Sequence, residues 1–541
     1  MRCAHLREGR GRYGLPRLVL PSPRPILSSH SVPLQSNPLR TAILLIGIAL
    51  AAFLLLGYHP FAEDAGIYLS GIHLALNPAL YPASRAFVLP YMHLTLFPYF
   101  FAYAVRLLHL PLPWVLLATH IALLVLLIYA VRRITIQCFA HPAAQWMAVA
   151  LTAFCLSTPV AGTALTIADP YLTPRSFATP FSLLLLAAVL ERRPRMAALA
   201  ILITLCFHPL MAIYAIGFAL VLWTLHARRP QGALRLCLAA VLVATIILLT
   251  QQHVTENPAY IHAALTRTYF YLADWQWYEL LGLAAPLAIF FWMVRTDRLL
   301  SEPHARNRTA LCGAALACGI TAIVISAFFI HPAGHSHLLA RLQPLRIFHT
   351  IYILLFMLLG GTLTEWSSQR IKHPALLLIP VLCAAAGAMF FVERQTFPAS
   401  AHLEMPWRAP RNPWQQAFLW ARDNTPQDAV FAIDANYITT DGEDAQNFRA
   451  TAERSSLSDY SKDGGSSSIF PQLAPTWQQG QQLSTGLSGL TDAARIARLS
   501  PAGVNWIVLQ EKFQQGGAQT HLLCPYRNST VLVCKLPASQ P

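Results

Sequence analysis

Charge is scarce in this chain. Of its 541 residues only 12% are Asp, Glu, Lys or Arg, against about 25% in soluble domains. Apolar residues fill the gap at 55% of the total. Repeated apolar runs of membrane-spanning length then exclude an ordinary soluble protein and predict a polytopic membrane protein. Acids are scarcer than bases, 24 against 39, for a net charge of +15. That excess does not point to nucleic acid, because the basic residues cluster in short loops between apolar runs, as in the positive-inside pattern. CxxC, HExxH, a P-loop, a GxGxxG after a strand and a nucleophile elbow are all missing. Their absence removes support for a cysteine zinc site and for metalloprotease, nucleotide-binding and serine-hydrolase chemistry. No internal repeat is evident and the spans are almost free of charge, which disfavours a transporter.

The first 40 residues carry seven Arg with Pro and Ser, but no sustained apolar core. They read as a disordered basic cytoplasmic tail over 1–40 rather than a signal peptide. Apolar length places spans at 41–58, 114–131, 143–160, 178–191, 196–207 paired with 209–225, 233–251, 276–294, 309–330, 344–364 and 373–392. Counting both members of the pair gives eleven. The segment 87–110, with Pro90, Pro98 and Arg106, is placed along the outer face. Every later Arg-rich loop, beginning with Arg132-Arg133, then falls on the cytoplasmic side. The N-terminus is thus expected inside and the C-terminus outside. A transmembrane domain over 41–393, with its first outer loop at 59–113, precedes an extracytoplasmic α/β domain over 394–541. That domain shows helices at 413–424 and 490–499, strands at 429–433 and 504–509, a Gly/Ser-rich loop at 463–468 and a final hairpin. Cys524 and Cys534 in the hairpin are placed for a cross-strand disulfide in an oxidising compartment. Cys155, Cys206, Cys237, Cys312, Cys318 and Cys383 lie in or beside apolar segments and read as packing residues.

Glu63-Asp64 stands out against the shortage of acids. The pair directly follows the first apolar run, in GYHPFAEDAGIYLSGIHLALNPALYP. Acids beside a membrane span are costly to keep without a role. The order of basic tail, first span, acidic loop, amphipathic Ile67–Leu76, Asn77-Pro78 and Tyr81-Pro82, proline-bearing outer segment and a span ending in Arg-Arg resembles the GT-C superfamily of polytopic glycosyltransferases. The protein mannosyltransferase and aminoarabinose transferase type is the nearest in pattern, and an uncharacterised bacterial branch is expected. The resemblance implies transfer of a sugar from a polyprenyl phosphate to an envelope acceptor, at the outer face of the bacterial inner membrane. It also implies that a first-loop acid acts as base or positions the acceptor, a role matched here only by Glu63 and Asp64. The chain departs from the pattern in lacking a WWD-type signature and in carrying His208-Pro209 at the break between two short helices. The alternative reading is a GT-C-fold protein without catalysis that binds or assembles envelope polysaccharide or lipid.

Adjacent acids point in different directions on a helix, so Asp64 is favoured over Glu63 as the cavity-facing carboxylate. Asp64 is equally a good N-cap for the helix Ala65–Leu76, and both roles stay open. In IADPYLTPRSFATPF, Arg175 suits a donor phosphate. Asp169 could share a divalent cation, Mg or Mn, with Asp64, or simply pair with Arg175. In HPAGHSHLLARLQPLR, the spacing of His331, His335 and His337 is a weak metal signal, while Arg341, Gln343 and Arg346 could bind lipid phosphate or snorkel to head groups. His208 is expected either to bond backbone carbonyls freed at the helix break or to touch substrate. Trp275, Trp277 and Tyr278 read as an interfacial belt, and Arg449, Glu453 and Arg454 as exposed surface charge. Membrane lipid and a lipid-linked sugar are the expected partners; the sequence names no protein partner.

Overall fold

The computed structural model describes residues 37–251, 255–297, 302–331, 337–514 and 518–537. The basic tail up to residue 36, and His335, lie outside them. Leu44–Pro541 forms one compact unit.

Eight helices among the described residues are long and apolar enough to cross a membrane: Pro38–Leu56, Leu112–Cys138, Pro209–His226, Pro230–Gln251, Trp277–Asp297, Pro303–Phe329, Leu339–Arg370 and Ala375–Thr396. They make the chain a multi-pass membrane protein. Three further spans expected from the sequence are shorter helices: Pro142–Ala153 of 12 residues, Pro174–Leu190 of 17 and Pro194–Phe207 of 14. The segment 87–110 is not one straight helix. Arg85–Leu94 and Phe97–Leu108 meet at 91°. The Thr95 hydroxyl at the bend donates to the Phe207 carbonyl at 2.6 Å, and the Leu96 amide to the Cys206 carbonyl at 2.9 Å. The bend therefore satisfies the carbonyls left free where Pro194–Phe207 ends.

Proline opens Pro174–Leu190, Pro194–Phe207, Pro209–His226, Pro230–Gln251 and Pro303–Ser326. At a first helical position its missing N–H costs nothing and its fixed φ already suits the helix. Pro209 therefore ends one helix and starts the next, leaving His208 as the hinge between them.

The C-terminal region carries a five-stranded sheet of β1 (Val430–Ile433), β2 (Ser455–Ser456), β3 (Trp506–Gln510), β4 (Leu523–Arg527) and β5 (Val531–Lys535), in the order β2-β1-β3-β5-β4. β1 is parallel to β2 and β3; β5 is antiparallel to β3 and β4. Residues 431–433 and 506–509 are apolar runs with buried side chains, as inner strands require. Cys524 and Cys534 form a disulfide. The Gly/Ser-rich stretch expected as a loop is instead the helix Lys462–Ile469. Glycine disfavours a helix by about 1 kcal/mol, but here the packing around it is tight. A Cβ on Gly464 would come within 3.1 Å of the Arg267 guanidinium and 3.2 Å of the Trp477 indole nitrogen.

Backbone bonds join the C-terminal region to the first loop. The Glu63 amide donates to the Ala445 carbonyl at 2.8 Å, Tyr58 to His402 at 3.0 Å and Glu404 back to Tyr58 at 2.9 Å.

Candidate active site

A cavity of about 1200 Å³ lies where the first loop, the mouths of several apolar helices and the C-terminal region meet. All eight site residues expected from the sequence line it: Glu63, Asp64, Asp169, Arg175, His208, Arg341, Gln343 and Arg346.

Glu63 takes a left-handed backbone conformation, φ 52°, which is rare for a residue with a side chain and clusters at functional sites. The turn splays the two acids. Asp64 stands at the N-cap position of Ala65–Leu76, but its side chain makes no capping bond. That overturns the capping reading. Instead the Lys462 ammonium donates to Asp64 Oδ1 at 3.0 Å and to Glu63 Oε2. Burial pushes the Asp64 carboxyl up, yet Lys462, Arg175 and Arg346 together outweigh it and hold the group down at about 2. Burial would strip the proton from Lys462, and the two carboxylates reverse this and push its ammonium up.

Asp169 and Arg175 are both buried, 8% and 7% exposed. Arg175 donates to Asp169 Oδ2 at 2.5 Å, and the Thr166 hydroxyl to Oδ1 at 2.9 Å. The local ion pair is thus the arrangement present, and Asp169 is engaged by its own neighbours rather than shared with Asp64. Among the described residues no group of three or more His, Cys, Asp or Glu is arranged to hold a metal ion. The Mg or Mn expected between Asp64 and Asp169 therefore meets two carboxylates that each already hold a cation of the chain, Lys462 on Asp64 and Arg175 on Asp169. That arrangement does not fit a divalent ion.

His208 lines the cavity but does not bond the carbonyls freed at the helix break. Its Nδ1 accepts from the Met211 amide at 3.4 Å, capping the following helix rather than donating to freed carbonyls. Arg341 donates to the Ile469 carbonyl at 3.0 Å. Gln343, again left-handed at φ 50°, has a buried side-chain oxygen without a partner, and so does the buried Arg346 Nε. Unsatisfied buried polar atoms are costly and rare, so this wall of the cavity is polar beneath its surface as well as at it.

Two sequence readings are corrected here. Trp275 is no interfacial belt residue: it is buried and lines the cavity, while Trp277 and Tyr278 are 74% and 59% exposed. Trp275 packs on Gly162, where a Cβ would come within 2.6 Å of the indole. Arg449 and Arg454 are buried, not surface charge. Arg449 pairs with Asp463, and Arg454 donates to the Thr425 carbonyl at 2.7 Å. His337 is engaged with Glu256, Nδ1 to Oε2 at 2.5 Å.

Lys462, Arg267, Tyr68 and Tyr91 also line the cavity, and sequence reasoning missed all four. Lys462 sits in a polar stretch that looks like solvated surface, so no local signal marks it.

No protein-family model matches this chain, and no curated protein matches it. Among solved structures, the crystal structure of the Archaeoglobus fulgidus oligosaccharyltransferase in the apo form is similar over 88% of this chain and 70% of that one, at 12% sequence identity and a TM-score of 0.39. A likeness that distant carries no argument about activity.

Proposed function

We propose that this protein is a membrane glycosyltransferase that moves a sugar from a polyprenyl-phosphate donor to an envelope acceptor on the outer membrane face, in a bacterial inner membrane. In this reading residues 41–393 form the transmembrane domain and 394–541 an extracytoplasmic domain. The observation that carries it is the convergence of both first-loop acids, Arg175, Arg341 and Arg346 on one large cavity. Guanidinium groups suit a phosphate, and a carboxylate suits an acceptor hydroxyl.

In the transfer, the acceptor oxygen forms a bond to the anomeric carbon while the bond from that carbon to the phosphate oxygen breaks. The electron pair leaves on the phosphate. A carboxyl held at about 2 is a poor resting place for the acceptor's proton. Asp64 therefore orients the hydroxyl by accepting its hydrogen bond. The proton ends on the released phosphate, whose second ionisation lies near ~6. Arg175, Arg341 and Arg346 hold the donor phosphate.

The Lys462 ion pairs favour a second reading. Both acids already share one ammonium, so the cavity could bind a lipid-linked sugar without turning it over. The deciding experiment incubates purified wild type and the double variant Glu63→Gln, Asp64→Asn with a panel of polyprenyl-phosphate sugars and follows product release. Wild-type turnover that the double variant loses supports transfer. Turnover unchanged by the double variant defeats the catalytic assignment, and donor binding without turnover favours the binding protein.

A further inference from the structure

Lys462 carries the inference. It is the first residue of the helix Lys462–Ile469, far along the chain from the acids it joins. Its ammonium donates to carboxylates of both Glu63 and Asp64, and its side chain is only 12% exposed. The backbone beneath it is clamped from three sides. The Lys462 amide donates to Asp459 Oδ1 at 2.5 Å. Arg267 donates to the Ser461 carbonyl at 2.9 Å and to the Tyr460 carbonyl at 3.2 Å. Asp463, paired with Arg449, accepts from the Asp459 amide at 2.9 Å. A lysine on an unanchored surface loop would sample many rotamers, but this one leaves a fixed helix start directly into the bite between two acids.

That bite is where a hard divalent cation would sit. Mg²⁺ and Mn²⁺ take oxygen ligands and are commonly held by one or two carboxylates with waters and substrate phosphate completing the shell. Glu63 and Asp64 are such a pair, but the position between them is filled by a positive charge from within the chain. Arg175 and Arg346 line the same cavity and add to the positive field a dication would have to enter.

We propose that the Lys462 ammonium is a built-in replacement for a divalent cation, holding Glu63 and Asp64 in place and presenting positive charge to a substrate phosphate without metal. The role toward phosphate rests on the glycosyltransferase reading; the exclusion of a metal from the acid pair does not. The chemistry is that of a point-charge donor: the ammonium brings one positive charge and a third N–H beyond the two given to Glu63 and Asp64, where a metal brings two charges and a fixed ligand geometry.

The test uses the full chain and Mn²⁺ itself as the probe, read by electron paramagnetic resonance and by thermal unfolding with and without MnCl₂. It therefore needs no turnover, and a failure to find sugar transfer leaves its result intact. Wild type and Lys462→Arg should bind no Mn²⁺ at the acid pair and show no Mn²⁺-dependent shift. Lys462→Met should bind Mn²⁺ and gain on the order of 2 °C in melting temperature at saturating metal. Adding Asp64→Asn should abolish that gain. Wild-type Mn²⁺ binding that Asp64→Asn removes overturns the proposal. So does a folded Lys462→Met protein that ignores Mn²⁺. Should Lys462→Met not fold, the wild type against Asp64→Asn comparison decides alone: Mn²⁺ binding lost on substitution overturns the proposal, and Mn²⁺ binding by neither supports it.

Discussion

Glu393 bridges two histidines: its Oε1 lies 2.7 Å from His59 Nε2, and its Oε2 lies 2.5 Å from His402 Nδ1. Each ring's other nitrogen also meets an acceptor. His59 Nδ1 faces Glu404 at 3.4 Å, and His402 Nε2 faces the Leu54 carbonyl at 2.6 Å. A neutral imidazole has one donor and one acceptor nitrogen, so a ring facing a carboxylate on each side, as His59 does, is favoured in its protonated form. Two imidazoles and two carboxylates hold the end of the first span, the end of Ala375–Thr396 and the start of the C-terminal region together.

The clasp gives the protein a pH dependence with a defined sign. Burial lowers His59, but its bonds to Glu393 and Glu404 outweigh that and raise it above 6.5. A raised histidine contributes stability that is fully present below its unfolded value and is lost as pH rises through its folded value. The melting temperature should fall as pH climbs from 6.5 into the alkaline range. A His59→Gln protein should start lower and show a flatter profile over the same range. Parallel profiles for the two would remove His59 from the account.

Asp64 has the opposite sign. Its depressed carboxyl contributes stability present above pH 3.8 and lost as pH falls through about 2. Sugar transfer should therefore show no acidic limb from Asp64 down to pH 4. A pH–rate profile on purified protein with a polyprenyl-phosphate sugar checks this, and Asp64→Asn should lower the rate about 100-fold or more without moving the profile.

The Asp169–Arg175 pair is buried on both sides. Replacing one partner, as in Asp169→Asn, strands a buried guanidinium and should cost about 3–5 kcal/mol. The double replacement Asp169→Leu, Arg175→Met should cost less than Asp169→Asn alone. Denaturation midpoints of the three proteins settle the order.

Gly66 opens onto Asn447, and a Cβ there would come within 2.1 Å of the Asn447 Cβ. Gly66→Ala should push the acidic turn off the C-terminal region and destabilise by roughly 1–3 kcal/mol. It should also raise the exposure of a reporter cysteine at position 63, read by thiol-labelling rate in an otherwise cysteine-free protein. An unchanged rate would mean the contact is relieved elsewhere.

Much of this molecule follows from local rules. Apolar length, prolines at helix starts and the scarcity of charge are enough to indicate a membrane protein and to place most of its long helices. The helix Pro413–Asn424 coincides with its expected bounds, and alternation and turns announced the final hairpin. The acids and arginines of the site were legible because charge beside a membrane is costly and therefore conspicuous. Lys462, Trp275 and Arg449 were not legible. In a polar or aromatic stretch, a lysine that will be solvated and one that will be buried between two carboxylates look alike. Only the folding of distant segments onto one another decides between them. The same is true of Gly464, where a Cβ would press on the Arg267 guanidinium and the Trp477 indole, and of the Asp64 carboxylate, turned from its helix cap by a cation supplied from the other end of the chain.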